Sequence, residues 1–235
     1  MKKVPTIGPE AIAPDITLIV GKDRVTVSRI RSGHRFAFRL RDAARLMANN
    51  AHAVTSEEPL ELQPLVIAAV ILAYSFLEAG LNEFIFLNAT ASKSPLSDTE
   101  KAIIQTIRSE DLRPRRQNTL QLFNTMLRIL RKEELATARE PYRAADAVRA
   151  LRNLLVHPRP ELGITTFSND PNEDLSRQQP IARQLRQYLN LDRSATFPPD
   201  VLTSKCAGWA VRACESFFAE FVKRSGVDPG FLTDQ

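Results

Sequence analysis

An apolar run from Leu65 to Leu77, broken only by Tyr74 and Ser75, constrains the fold of this chain more than any other stretch. Helical spacing continues to about Ala89, and Pro64 suits a first helical turn. The polar exceptions are Ser75, Glu78 and Asn82, spaced i, i+3, i+7, which fall on one narrow line. A helix that is apolar nearly all round has to be surrounded by other elements. The run meets Glu78 too soon to span a membrane. The expectation is a core helix at the centre of a bundle, with one polar seam that needs partners, because buried polar groups are costly when unpaired.

The rest of the chain can supply the surrounding helices. Of its 235 residues, 43% are hydrophobic and 25% charged, enough for a real core. Eight glycines against fifteen prolines argue against a glycine-rich phosphate loop. Residues 36–47 repeat apolar side chains at Phe36, Leu40, Ala43, Ala44 and Met47, although 36–40 also alternates as a short strand would. Ser97 with Glu100 forms a capping-box pattern for a helix over 98–109. Leu120, Phe123, Leu127 and Leu130 mark a helix over 117–136, and a further one is expected at 180–190. The last helix, 203–223, should turn Ala210, Cys214, Phe217, Phe218 and Phe221 inward. Before all of these, β-branched residues at 16–20 and 24–30 flank Gly21-Lys22-Asp23 and predict a hairpin. Residues 165–176 read as a polar surface loop. The fold class is therefore all-α: a helical bundle over 60–225, a small β-hairpin-containing extension over 1–59, and a tail over 226–235.

Cys206 and Cys214 lie two helical turns apart, about 12 Å, too far to bridge to each other. They read as small buried residues, which fits a reducing, cytoplasmic location. Met1-Lys2-Lys3 begins like a signal peptide, but no apolar run follows it. The net charge of +5 is unevenly placed, with eleven basic against four acidic residues over 113–160. Arginine, suited to bidentate phosphate contact, outnumbers lysine 24 to 8.

That basic segment contains Arg152-Asn153-Leu154-Leu155-Val156-His157-Pro158. At about 100° per residue, Ala144, Ala147, Val148, Leu151, Leu154 and Leu155 share one face of a helix opened by Pro141. Asp146, Arg149, Arg152, Asn153 and His157 share the other, and Val156 intrudes. Pro158 disfavours helix at His157, which should end it. Side chains of Arg152 and His157 on one polar side can converge on a small anion. Histidine can move protons near neutral pH, and a guanidinium can hold the charge that builds on phosphate oxygens. The bare spacing is weak: Arg29 precedes His34 by five residues and Arg45 precedes His52 by seven. The helical setting distinguishes the third pair. No His and carboxylate cluster has metal-ligand spacing, and no cofactor motif is present.

Leu151 to Pro158 closely resembles the signature of the HEPN superfamily: Arg, a polar residue that is often Asn, three more residues, then His. Ala73 to Glu83, apolar with an internal Glu and Asn, resembles the long early helix of many members. The resemblance covers roughly 60–224. It implies a HEPN-like helical bundle, usually dimeric, in which two copies of the motif form one composite ribonuclease site that works without a metal. On that precedent Arg152 and His157 are the catalytic pair and Asn153 supports them, with Glu78 and Asn82 as further polar residues near the site. RNA, a second copy of the chain, and a cognate antitoxin or regulator are the implied partners, in a toxin–antitoxin or antiviral defence setting; no membrane is. Some members do not cut RNA, so a non-catalytic RNA- or nucleotide-binding or protein-interaction module is the alternative.

Overall fold

The computed structural model describes residues 16–20, 23–27, 36–54, 59–90, 97–108, 117–157, 180–192, 195 and 197–226. The described residues are mostly helical: α1 (Phe36–Ala53), α2 (Pro59–Thr90), α3 (Asp98–Arg108), α4 (Thr119–Ile129), α5 (Tyr142–Val156), α6 (Pro180–Leu189) and α7 (Ser204–Ser225). The expected loop at 165–176 and the tail beyond Gly226 lie outside them. The chain divides into two units, Met1–Arg35 and Phe36–Gln235. In the first, β1 (Ile16–Val20) and β2 (Asp23–Val27) pair antiparallel, with Val20 opposite Asp23.

The boundary falls before Phe36 and not near residue 59, because α1 packs along α2 and α7 and so belongs to the bundle. The alternation at 36–40 produces no strand. Ala37, Ala44, Ala48 and Ala51 form a buried stripe of small residues that lets α1 approach the bundle closely, while Phe36 is left 59% exposed. The start of α1 is held from α2: the Ala37 N–H donates to Glu83 Oε1 at 3.0 Å, one of the donors a helix start leaves without an internal partner.

As expected, α2 is the central element, touching α1, α3, α4, α5 and α7. It begins at Pro59, which takes the favourable first position, and carries Pro64 inside it. Its segment Glu61–Phe86 is the one described helix long and apolar enough to cross a membrane, and half of its most apolar window is buried inside the bundle. Opposite it, α7 buries the five residues its spacing pointed to, together with Cys206, Trp209 and Val222. Thr203 caps its start by accepting from the Cys206 N–H, and Gly226 ends it in the left-handed conformation. Both cysteines are buried free thiols, and burial raises the pKa of each, Cys206 to about 12.

Aromatic rings join these helices. Phe123 of α4 meets Phe217 and Phe221 edge-on at 5.2 and 4.6 Å between centroids; Phe84 of α2 meets Phe221 at 4.9 Å, and Phe76 meets Phe218 at 4.9 Å. Such pairs add roughly 0.5–1.5 kcal/mol each beyond the area they bury.

The capping box at Ser97 and Glu100 is formed: the Ser97 N–H donates to Glu100 Oε2 at 2.8 Å, and the Glu100 N–H to Ser97 Oγ at 3.3 Å. A second, unexpected one starts α4, where Asn118 and Gln121 exchange side chain–backbone bonds at 2.9 and 3.0 Å. That helix is shorter than the periodicity suggests. Arg131 takes φ 54°, its N–H reaches Arg128 O at 3.0 Å, and the Lys132 N–H reaches Leu127 O at 2.8 Å. This is a Schellman ending formed without glycine, so the usual sequence signal for it is missing. The segment that follows is tied back by buried Asn124, whose side-chain amide both donates to Leu135 O (2.9 Å) and accepts from Leu135 N–H (2.8 Å).

At Gly80 of α2, Phe218 of α7 sits against the backbone: a Cβ there would lie 2.6 Å from Phe218 Cε2. Alanine favours an exposed helix interior over glycine by about 1 kcal/mol. Here the ring is hemmed in by Phe76, Phe123 and Phe221 and cannot swing clear. Overpacking of this kind costs about 1–3 kcal/mol. Gly80→Ala is therefore expected to lower stability in urea denaturation; an unchanged or higher midpoint would contradict this packing.

Candidate functional site

The motif helix α5 forms as its pattern requires. Pro141 precedes its first residue, and Ala144, Ala147, Val148 and Leu151 are buried against α2 and α7. Val156 is 38% exposed, the apolar intrusion on the polar side that the spacing indicated. The helix ends at His157, whose backbone (φ −125°, ψ 68°) has left the helical region while its N–H still donates to Asn153 O at 2.9 Å.

Arg152 is held by α2. Its guanidinium lies 5.8 Å over the ring of Tyr74, within cation–π range, and Nη2 is 3.7 Å from Glu78 Oε2. Nη1 donates to the Asn153 side-chain oxygen at 3.2 Å. With side chains 23% and 37% exposed, the Arg152–Glu78 pair contributes less than about 1 kcal/mol, so its role is orientation more than stability. Nε of Arg152 is buried and meets no acceptor among the described residues. A buried donor left unpaired costs about 1–3 kcal/mol, and such a group calls for an explanation beyond packing.

Tyr74, Glu78 and Asn153, the three side chains Arg152 touches, also line a cleft of about 240 Å³. Its other walls are Arg149 of α5 and the residues leading into α4: Gln117, Asn118, Thr119 and, deeper, Leu122. Arg149 is fixed by Asp146 at 2.7 Å. Burial works to lower the Arg149 pKa, but the bond and charge of Asp146 outweigh it and the net shift is upward. The cleft thus sets one guanidinium, Arg149, and one carboxylate, Glu78, among neutral donors and acceptors, while Arg152 lies behind its wall and does not line it, an arrangement that suits a polar ligand.

Of the residues singled out in the sequence, Arg152, Asn153 and Glu78 are brought together. His157 is exposed at the end of α5 and does not line the cleft. Asn82 is exposed one turn beyond Glu78 and does not line it either. In the sequence Tyr74 reads only as an interruption in an apolar run, yet it lies one turn before Glu78 and supports Arg152. The approach to α4 was also missed; the Asn118/Gln121 capping pattern marks that helix start but not that it faces α5. Among the described residues no three His, Cys, Asp or Glu side chains gather as a metal site would need.

Burial raises the Tyr74 pKa from 10.0 to about 12, a hydrogen bond with Thr119 partly opposing the shift. The folded protein therefore keeps a proton that the unfolded chain releases above pH 10. Stability from this group is fully present below that pH and is lost as pH rises towards about 12, by roughly 2–3 kcal/mol in all. Denaturation of wild type and Tyr74→Phe between pH 9 and 12 should show a steeper loss for wild type; parallel curves would contradict a buried phenol here. Comparison with protein-family models, with curated proteins and with solved structures gives no match to this chain.

Proposed function

We propose that the chain is a HEPN-like, metal-independent endoribonuclease, working as a homodimer, in which Arg152 and His157 act on the phosphate of a single-stranded RNA. The observation that carries this reading is the state of Arg152: clamped between Tyr74, Glu78 and Asn153, with a buried Nε that has no acceptor, beside a polar cleft. A guanidinium held this way is pre-oriented for an anion. In the proposed reaction the RNA 2′-hydroxyl attacks the adjacent phosphorus and the 5′-oxygen departs, leaving a cyclic phosphate. His157 moves the proton at one of these oxygens, and Arg152 stabilises the charge on the phosphoryl oxygens. Asn153 and Glu78 position Arg152. DNA, lacking the 2′-hydroxyl, is not cut by this route.

Dimerisation is supported by two features. His157 stands exposed on open surface, where a second copy can reach it, and it is preceded by exposed Val156. Phe86 on α2 is a further large exposed apolar side chain. A toxin or defence role, with an antitoxin or regulator as partner, follows from the family resemblance alone. A second reading, binding of RNA or a nucleotide without cleavage, is favoured by the cleft, whose walls offer hydrogen-bonding groups that the proposed reaction does not use.

Incubation of the purified protein with single-stranded RNA in EDTA, alongside Arg152→Ala and His157→Ala, separates the two. The expected outcome is cleavage by wild type and a loss of 100-fold or more in each variant, about 3 kcal/mol of transition-state stabilisation. Because the Glu78 pair adds little stability, both variants should remain folded by circular dichroism. RNA binding with no cleavage establishes the second reading, and cleavage undiminished in both variants overturns the first.

A further inference from the structure

A second cleft, of about 620 Å³, opens between the C-terminal half of α1 and the first turns of α7. It shares no lining residue with the cleft beside Arg152. From α1 come Asn49 and His52; from α7 come Ser204, Lys205, Gly208 and Arg212. Among the described residues, every ionisable group in this lining is basic. The carboxylates nearest along the same two helices are engaged elsewhere: Asp42 with Arg41, and Glu215 with Arg45.

Arg212 is not held by a carboxylate as several arginines of the bundle are. Arg41, Arg45, Arg128, Arg149, Arg152 and Arg224 each face a carboxylate. Arg212 makes no ion pair or hydrogen bond among the described residues. Lys205 is anchored by one bond, Nζ to Leu189 O at 2.8 Å, which leaves two of its three N–H groups for a ligand. Gly208 explains how the guanidinium reaches the cleft. Glycine inside a helix is unfavourable by about 1 kcal/mol relative to alanine. A methyl group at this position would lie 3.2 Å from Arg212 Nη1. The missing side chain gives the guanidinium room to fold back along α7, towards the turn that bears Lys205 and Ser204.

A planar guanidinium, an ammonium, an imidazole, a hydroxyl and an amide around one concavity are the donors that phosphate oxygens require. The volume falls in the range of small-molecule sites and exceeds what a bare phosphate fills. We propose that this cleft binds the phosphate of a nucleotide, free or within a polynucleotide, through Arg212, Lys205 and His52, with Ser204 and Asn49 as neutral partners. The proposal does not depend on the nuclease reading, since none of these residues belongs to that site.

The test uses the full-length protein and two ligands, adenosine monophosphate and a fluorescent single-stranded RNA, at fixed salt. Variants are Arg212→Gln/Lys205→Gln; the charge-matched control Lys101→Gln/Lys223→Gln, on other surfaces; and Gly208→Ala. Loss of two charge-assisted hydrogen bonds should weaken binding by about tenfold or more in the cleft double variant. The control should stay within about twofold of wild type for both ligands. Gly208→Ala keeps the charge but displaces the guanidinium, and should weaken binding by about threefold. In wild type the imidazole proton resonances of His52 should shift saturably with the ligand. Mononucleotide binding with these effects assigns a free nucleotide; effects confined to RNA assign a polynucleotide. The proposal is overturned if the cleft variant, folded by circular dichroism, binds both ligands as wild type does, or if the control loses as much affinity as the cleft variant.

Discussion

The contact of Phe218 with the backbone face at Gly80 sets the distance between α2 and α7, and the rest of the bundle depends on that distance. With the ring seated there, Phe76 and Phe123 close on it from either side, and Phe221 extends the cluster to Phe84. The two helices carry four of the five fully buried phenylalanines, and α1, α4 and α5 pack around them. The contribution of any single aromatic pair is modest. The arrangement holds because each ring limits the movement of the next, as close-packed interiors do.

That frame positions the motif helix. Because α5 buries its apolar face against α2 and α7, its polar face is presented along the α2 seam. Arg152 then comes within reach of Glu78 and over Tyr74, and Arg149 comes to the edge of the cleft that α4 completes. The two guanidinium groups are placed differently. Arg149 is steadied by Asp146 one turn away, whereas Arg152 depends on residues roughly seventy positions earlier in the chain. The site therefore cannot form before the long-range core does. The α1–α7 cleft has a similar origin: the approach of the two helices leaves Arg212 over Gly208, with no carboxylate among the described residues to meet it.

The helices were legible wherever a period and a boundary residue coincided. The Ser97/Glu100 box, Pro141 before α5, Thr203 and Gly226 around α7 and the inward face of α7 could all be read directly. Two features were not, for identifiable reasons. The end of α4 uses a left-handed Arg131, where only glycine or asparagine would have announced the turn. The helical start of α1 shows strand-like alternation and is decided by tertiary contact, Glu83 reaching the Ala37 N–H and an alanine stripe sitting against α2. At the site, Arg152, Asn153 and Glu78 follow from motif and seam. The role of Tyr74 does not, because a tyrosine in an apolar helix reads as core until its neighbour across the interface is known. His157 is the opposite case: spacing suggests convergence with Arg152, and the structure puts the histidine on the exposed helix end, outside the cleft.

The chemistry proposed for Arg152 and His157 leaves a definite mark on its product. The most direct measurement is mass spectrometry of the RNA fragments released in EDTA. Attack by the neighbouring 2′-hydroxyl predicts a 2′,3′-cyclic phosphate on one fragment and a free 5′-hydroxyl on the other, with both absent when Arg152→Ala is used. Fragments carrying a 5′-phosphate and a 3′-hydroxyl would show that water, not the 2′-hydroxyl, attacks, and would contradict the account.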